Sequence, residues 1–195
     1  NEIIWPLFHD LQSRCNFDAE YWSAYQQVNK KFAETIIKNT KKDDYIWVHD
    51  YHLMSVAREL RALQDDLKVG FFLHTPFPPP DIFFKLPWRS ELINSLMEYD
   101  LIGFQTMRDR RNFVQCVRTL VKGTRTHGKG AVVTLQSRER KIKVGNFPIS
   151  IDYRQFEQQA ATREVADSAW YIHENLSDRQ IILGIDRLDY TKGII

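Results

Sequence analysis

The stretch from Asp43 to Pro80, DDYIWVHDYHLMSVARELRALQDDLKVGFFLHTPFPPP, leaves few folds open. Two short apolar runs, Tyr45–Val48 and Val69–Leu73, lead into ionisable residues, His49–Asp50 and His74. Between them Leu53, Val56, Ala57, Leu60 and Leu63 recur at helical spacing. Strand, helix, strand of this length is a βαβ unit, and its right-handed crossover makes the strands parallel. Both carboxyl ends then lie on one edge of the sheet, the edge where open α/β sheets bind ligands. Asp50 and His74, far apart in sequence, are expected to meet in one crevice there.

The rest of the chain repeats the alternation. An apolar start with Pro6 predicts a short helix or turn, and Asp18, after Phe17, is a suitable N-cap for a long helix. That helix is expected to bury one face carrying Tyr21, Trp22, Tyr25, Val28, Phe32 and Ile36. Four prolines between 76 and 80 make a stiff loop after the second strand. Helices are expected over Asp81–Leu86 and Ser90–Met97, split by Pro87, and Asp100–Gln105 reads as a third strand. The next helix puts Phe113, Val117, Leu120 and Val121 inward, and Arg108, Arg110, Arg111 and Arg118 largely outward as a solvated face. A Gly-containing basic connector, Gly123–Gly130, precedes two strands, Ala131–Leu135 and Lys141–Pro148. Helices over Asp152–Thr162 and Arg163–Asn175 and a last strand at Gln180–Ile185 close the chain. The class is α/β, with a lobe boundary between Pro148 and Arg179.

Composition limits the function. The 195 residues carry 27 basic and 25 acidic side chains, a net charge of +2, which argues against a general nucleic-acid binder. No apolar run approaches the roughly 20 residues a membrane helix needs. Cys15 and Cys116 are widely separated and read as reduced structural thiols, which suits a cytoplasmic protein. The chain opens without Met and reads as a piece of a longer protein.

Two constellations could do chemistry. A carboxylate and an imidazole at sequential strand ends, beside a proline wall, suit the gripping of a polyhydroxylated ligand: the carboxylate accepts from two hydroxyls and the imidazole donates to a third. His49, Asp50 and His52 also raise a metal site, but H-D-x-H lacks the fixed helical pair of a zinc protease. Arg187 and Lys192 flank a turn that is expected to precede a helix near Gly193. Two cations at a helix start suit a phosphate or diphosphate; ordinary capping, with Asp189 paired to one of them, explains the pattern equally well. Trp5 reads as core packing unless a sugar site adjoins it.

Six motifs then stand in order: WPLFH at Trp5–His9, WVHDYHL at Trp47–Leu53, FFLHTPFP at Phe71–Pro78, LPWR at Leu86–Arg89, DLIGFQT at Asp100–Thr106 and DRLDYTKG at Asp186–Gly193. Together they resemble the trehalose-6-phosphate synthases, retaining glycosyltransferases of family 20 with two facing Rossmann-like lobes, the GT-B fold. The resemblance implies that residues 1–150 are most of the amino-terminal, acceptor-side lobe, lacking its first strands. Residues 151–195 would be linker helices and the first strand of the nucleotide-sugar lobe.

The implied reaction moves glucose from UDP-glucose to glucose 6-phosphate with retention, giving trehalose 6-phosphate and UDP. By the resemblance Trp5, Asp50 and Thr75 hold the acceptor, His74 contacts the donor glucose near the reacting centre, and Arg187 and Lys192 hold the donor diphosphate. His74, Arg187 and Lys192 would be the catalytic set, with no metal and no cofactor. The family's glycine-rich loop and uridine-holding residues lie outside these 195 residues, so the segment alone is expected to be inactive. Two alternatives share much of the pattern: glucosylglycerol-phosphate synthase, which takes a different phosphorylated acceptor, and a non-catalytic homologue that senses sugar phosphate. A homo-oligomer stays open.

Overall fold

The computed structural model describes residues 1–137 and 140–193. The chain forms two compact units, residues 1–148 and 149–195. The first holds a six-stranded mixed sheet in the order β1-β2-β3-β6-β5-β4. β1 (Tyr45–His49), β2 (Lys68–Leu73), β3 (Leu101–Phe104) and β6 (Arg140–Asn146) run parallel. β5 (Val132–Ser137) and β4 (Arg125–His127) continue the sheet antiparallel. The expected α/β class and the βαβ unit are both present. β4, however, lies in the stretch read as a connector. A three-residue strand of Arg, Thr and His, fully exposed, carries no apolar alternation to reveal it.

The helices follow the sequence signals closely. α1 (Ile4–Phe8) and a 3-10 turn, Gln12–Arg14, open the chain. α2 (Ala19–Asn39) starts at Asp18, whose carboxylate accepts from Glu20 N at 2.8 Å. α3 (Val56–Leu63) is the first crossover, while α4 (Pro80–Phe83) and α5 (Arg89–Leu96) form the second. α6 (Met107–Leu120) follows β3 and is capped by Thr106, whose hydroxyl accepts from Asp109 N.

Two expected faces are corrected. α2 buries Trp22, Asn29 and Ala33, while Tyr21, Val28 and Phe32 remain exposed. Trp22, Tyr25 and Ile36 of the expected face do pack against the core, but the buried stripe is rotated from the expected one because it contains an asparagine with a structural task, described below. On α6, Arg110 is buried rather than outward, its Nη1 donating to Gly130 O, and burial lowers its pKa.

Every step from β1 to β2, β3 and β6 moves the same way across the sheet. Right-handed crossovers therefore stack α3, α5 and α6 on one face. The core lies on that face: Val48, Val69, Phe71, Leu73, Ile102, Phe104, Ile142 and Val144 belong to it. By the strand period of two, the opposite face carries Tyr45, Trp47, Gly70, Phe72, Gly103 and Gly145. Aromatic side chains lie across the glycines of neighbouring strands. A Cβ on Gly70 would meet the Tyr45 hydroxyl at 2.5 Å, and one on Gly103 the Phe72 ring at 2.7 Å. At the opposite edge of the sheet from the carboxyl ends, Arg61 grips Asp100 through Nη2 at 2.9 and 3.0 Å and donates to the Asp65, Leu67 and Glu98 carbonyls.

The second unit contains α7 (Tyr153–Ala160), capped by Asp152, and α8 (Arg163–Asn175), capped by Thr162. None of its described residues is buried. The expected strand at Gln180–Ile185 is not formed: Ile182, Leu183 and Ile185 are open to solvent, and no strand among the described residues pairs with them. A strand needs a neighbour for its backbone groups, so apolar residues alone do not make one. The helix expected near Gly193 extends onto residues 194 and 195, outside the described residues. Before it stands a 3-10 turn, Tyr190–Lys192, closed by Gly193 in the left-handed conformation.

Gly103→Val tests the aromatic-over-glycine packing. Phe72 is buried and must tilt off its seat, so urea denaturation is expected to show a loss of about 1–3 kcal/mol. Unchanged stability would mean that the ring moves without cost.

Candidate functional site

The ladder between β1 and β2 runs one rung past the strands. Asp50 N donates to Phe72 O at 2.8 Å, and there the chain turns sharply. Asp50 adopts φ 67° and ψ 170°, backbone space used almost only by glycine. A side chain there costs about 1–3 kcal/mol and persists only when its surroundings impose it.

The surroundings are buried polar side chains from other elements. The 3-10 turn Tyr51–Leu53 follows Asp50. Its three carbonyls are each taken by a distant side chain. The Tyr25 hydroxyl donates to Tyr51 O at 2.8 Å and accepts from Met54 N at 3.1 Å. Asn29 donates to His52 O at 3.0 Å and accepts from Ser55 N at 3.1 Å. The Tyr99 hydroxyl donates to Leu53 O at 2.8 Å. Burial raises the pKa of both phenols, so each remains a neutral donor. Asn29 and Tyr99 are wholly buried.

The two residues meet as expected. The backbone N–H of His74 donates to Asp50 Oδ1 at 3.3 Å, which ties the carboxylate to the start of the His74 segment at the carboxyl edge. His49 joins them, its Nδ1 3.0 Å from His74 Nε2. His52 lies close by against Tyr51, with ring centroids 3.9 Å apart. Burial lowers the His52 pKa, and Asp50 pulls it the other way.

Trp5 reaches the same neighbourhood from α1. Its ring is 4.2 Å from His9 and 5.5 Å from Tyr51, the residue after Asp50. Beside it a groove of about 290 Å³ is lined by Ile3, Ile4, Trp22, Tyr25, Tyr51 and His52. Thr75 is buried, and its hydroxyl has no hydrogen-bond partner among the described residues. Such an orphan costs free energy unless a further group reaches it.

The proline loop is a fixed wall. Phe77 packs between Phe8, Phe83, Phe104 and Phe113 with centroids 5.0–5.8 Å apart. Its N–H donates to the buried Asp109 carboxylate at 3.2 Å, and its carbonyl accepts from Asn112 at 2.9 Å.

Arg187 and Lys192 stand in the second unit, within their own local geometry. Lys192 Nζ lies 3.6 Å from Asp186 Oδ2, and Arg187 is exposed. Asp189 caps the turn, accepting from both Thr191 N and its hydroxyl at 2.9 Å. Asp186 is thus a carboxylate that faces Lys192.

The residues missed in the sequence are Tyr25, Asn29 and Tyr99, which hold the turn, and His49 as the partner of His74. An asparagine one helical turn after a tyrosine, within an amphipathic helix, was the available signal for the first two.

An open α/β sheet with a strained, polar crevice at its carboxyl edge defines a ligand-binding lobe of the Rossmann-like kind. The chain belongs to glycosyltransferase family 20, whose model matches residues 1–195. It is 41% identical, over its whole length, to a trehalose-6-phosphate synthase of Mycolicibacterium gilvum (strain PYR-GCK), of which it covers 40%. To that of Mycobacterium ulcerans (strain Agy99) it is 42% identical, again over 40% of the relative. The chain therefore spans about 40% of the length of the curated relatives it matches. Among solved structures it resembles an alpha,alpha-trehalose-phosphate synthase (UDP-forming) from Burkholderia xenovorans in complex with glucose-6-phosphate. There the TM-score is 0.90 at 32% identity, over 99% of this chain and 42% of that one. A trehalose-6-phosphate structure from E. coli, bound with UDP-2-fluoro glucose, matches with a TM-score of 0.85 at 35% identity, over 100% of this chain and 42% of that one. The α/β GT-B class expected from the sequence is the class of these neighbours.

The strain at Asp50 has a direct test. Asp50→Gly is expected to be more stable than Asp50→Ala by about 1 kcal/mol or more, because only alanine keeps a side chain in left-handed space. Chemical denaturation of both variants reads the difference, and equal stability would remove the strain from the account.

Proposed function

We propose that the whole protein transfers glucose from UDP-glucose to glucose 6-phosphate with retention, giving trehalose 6-phosphate and UDP. The observation that carries this reading is the family match over all 195 residues, together with relatives and neighbours that are trehalose-6-phosphate synthases. One neighbour holds glucose-6-phosphate and another a fluorinated UDP-glucose. The alternative acceptor, glycerol 3-phosphate, and the purely sensing role have no such support.

In this reading residues 1–150 serve the acceptor side, and residues 151–195 lead into the nucleotide-sugar lobe. Asp50 accepts hydrogen bonds from acceptor hydroxyls, and its strained backbone aims the carboxylate without reorganisation. Trp5 offers an aromatic surface to the acceptor ring. Thr75 supplies a hydroxyl that lacks a partner among the described residues, which a substrate hydroxyl would complete. His74 meets the donor glucose near its anomeric carbon. Arg187 and Lys192 neutralise the diphosphate.

The bond between the anomeric carbon and the phosphate oxygen breaks as the acceptor oxygen bonds to that carbon on the same face. The acceptor proton passes to the leaving phosphate. No nucleophilic carboxylate pair is called upon. Catalysis then rests on positioning and on stabilising the departing diphosphate. Neither metal nor cofactor enters these steps. A cytoplasmic location suits the sugar-phosphate and nucleotide-sugar substrates and the two free thiols.

The test uses the full-length protein with UDP-glucose and either glucose 6-phosphate or glycerol 3-phosphate, with and without EDTA, following UDP release and product mass. EDTA-resistant turnover with glucose 6-phosphate is expected, and Arg187→Ala should abolish it. Turnover with glycerol 3-phosphate alone would move the protein to the sister activity. Sugar-phosphate binding without turnover would favour the sensing role.

A further inference from the structure

His49 is an ionisable residue of the crevice that the transfer reaction leaves without a task, and it is the one that touches His74. It ends β1 and pairs in register with Phe72 of β2. His74 lies two residues beyond Phe72, so the strand period directs all three side chains to the face away from the helices. There the rings form a row. Trp47 is 4.4 Å from His49, His49 is 5.2 Å from His74 at an interplanar angle of 28°, and Phe72 is 4.8 Å from His74. The nitrogens facing each other, His49 Nδ1 and His74 Nε2, are 3.0 Å apart.

That contact restricts the chemistry of His74. A neutral imidazole carries one donor and one acceptor nitrogen. At 3.0 Å one of the two facing nitrogens must hold the hydrogen and the other must receive it. Whichever way the bond runs, His74 Nδ1 takes the opposite role to its engaged Nε2. If His49 donates, His74 keeps its hydrogen on Nδ1 and offers a donor to a ligand hydroxyl. If His49 accepts, His74 Nδ1 is an acceptor.

We propose that His49 is a positioning residue for His74, holding its ring and selecting the tautomer that it presents to the sugar. The inference rests on the transferase reading only for what the sugar is; the coupling between the two rings stands on their geometry. His49 is exposed, so replacing it opens no cavity in the core.

The test takes the full-length protein labelled with 15N in its histidine rings, as wild type, His49→Phe and His49→Asn, with His74→Phe to assign the signals. In the wild type the two His74 nitrogens are expected to show the well-separated shifts of a single tautomer. In His49→Phe they should move toward each other as the tautomers mix. His49→Asn, whose side-chain amide falls near the position of Nδ1, should restore the separation. In turnover with UDP-glucose and glucose 6-phosphate, His49→Phe should lower kcat by up to about a hundredfold. The KM for glucose 6-phosphate should hold, and the Asn variant should recover most of the rate. Identical His74 shifts in wild type and His49→Phe would overturn the proposal, as would equal loss of rate in both variants. A wild type that gives no turnover would sink the transferase reading, while the nitrogen shifts still decide the role of His49.

Discussion

The crevice depends on how the chain leaves β1. One backbone hydrogen bond, from Asp50 N to Phe72 O, extends the parallel ladder past the last strand residue. The next peptide turns through space that a side chain seldom enters. This turn brings a carboxylate to His74, the residue that follows β2. It survives because Tyr25, Asn29 and Tyr99 take the carbonyls of the following residues. A buried polar network of this sort is stabilising only when its members are satisfied. Here it specifies one geometry for Asp50, and a site that must aim a carboxylate gains from that rigidity.

The two faces of the sheet have different characters. Unidirectional crossovers put α3, α5, α6 and the main hydrophobic core on one side. The other side is a layer of aromatic rings over glycines, ending at the carboxyl edge in the His49–His74 pair. Gly70, Gly103 and Gly145 are needed there for want of a side chain rather than for backbone freedom, since each stands where a ring lies. The same alternation that fills the core thus also lines up the rings beside the site. On the far side of His74, the anchoring of Phe77 turns the proline loop into a wall whose ordering is settled before any ligand arrives.

Much of this was legible in the sequence. The βαβ unit follows from two apolar runs and a helical period, and it carries Asp50 and His74 to one edge. The Asp18 cap, the split at Pro87 and the two strands β5 and β6 were equally plain. What escaped was set by tertiary contacts. The buried stripe of α2 contains Asn29, a residue that apolar periodicity rejects. Arg110 is buried because a carbonyl from Gly130 meets it, which no local pattern reveals. β4 pairs through its backbone alone, and Gln180–Ile185, apolar enough for a strand, has no pairing partner among the described residues. The left-handed backbone of Asp50 was hidden as well, since such a conformation is foreseen for Gly or Asn before Asp.

The central claim is that this strained carboxylate at the sheet edge holds a sugar phosphate. Its most direct test is calorimetric titration of the full-length protein with glucose 6-phosphate, comparing wild type with Asp50→Gly. The glycine variant suits the backbone of the turn and removes the carboxylate together with the hydrogen bond it accepts from His74 N. The account predicts binding to the wild type and at least a tenfold weaker affinity, about 1.4 kcal/mol, in the variant. Equal affinity in the two proteins would contradict it and place the acceptor elsewhere.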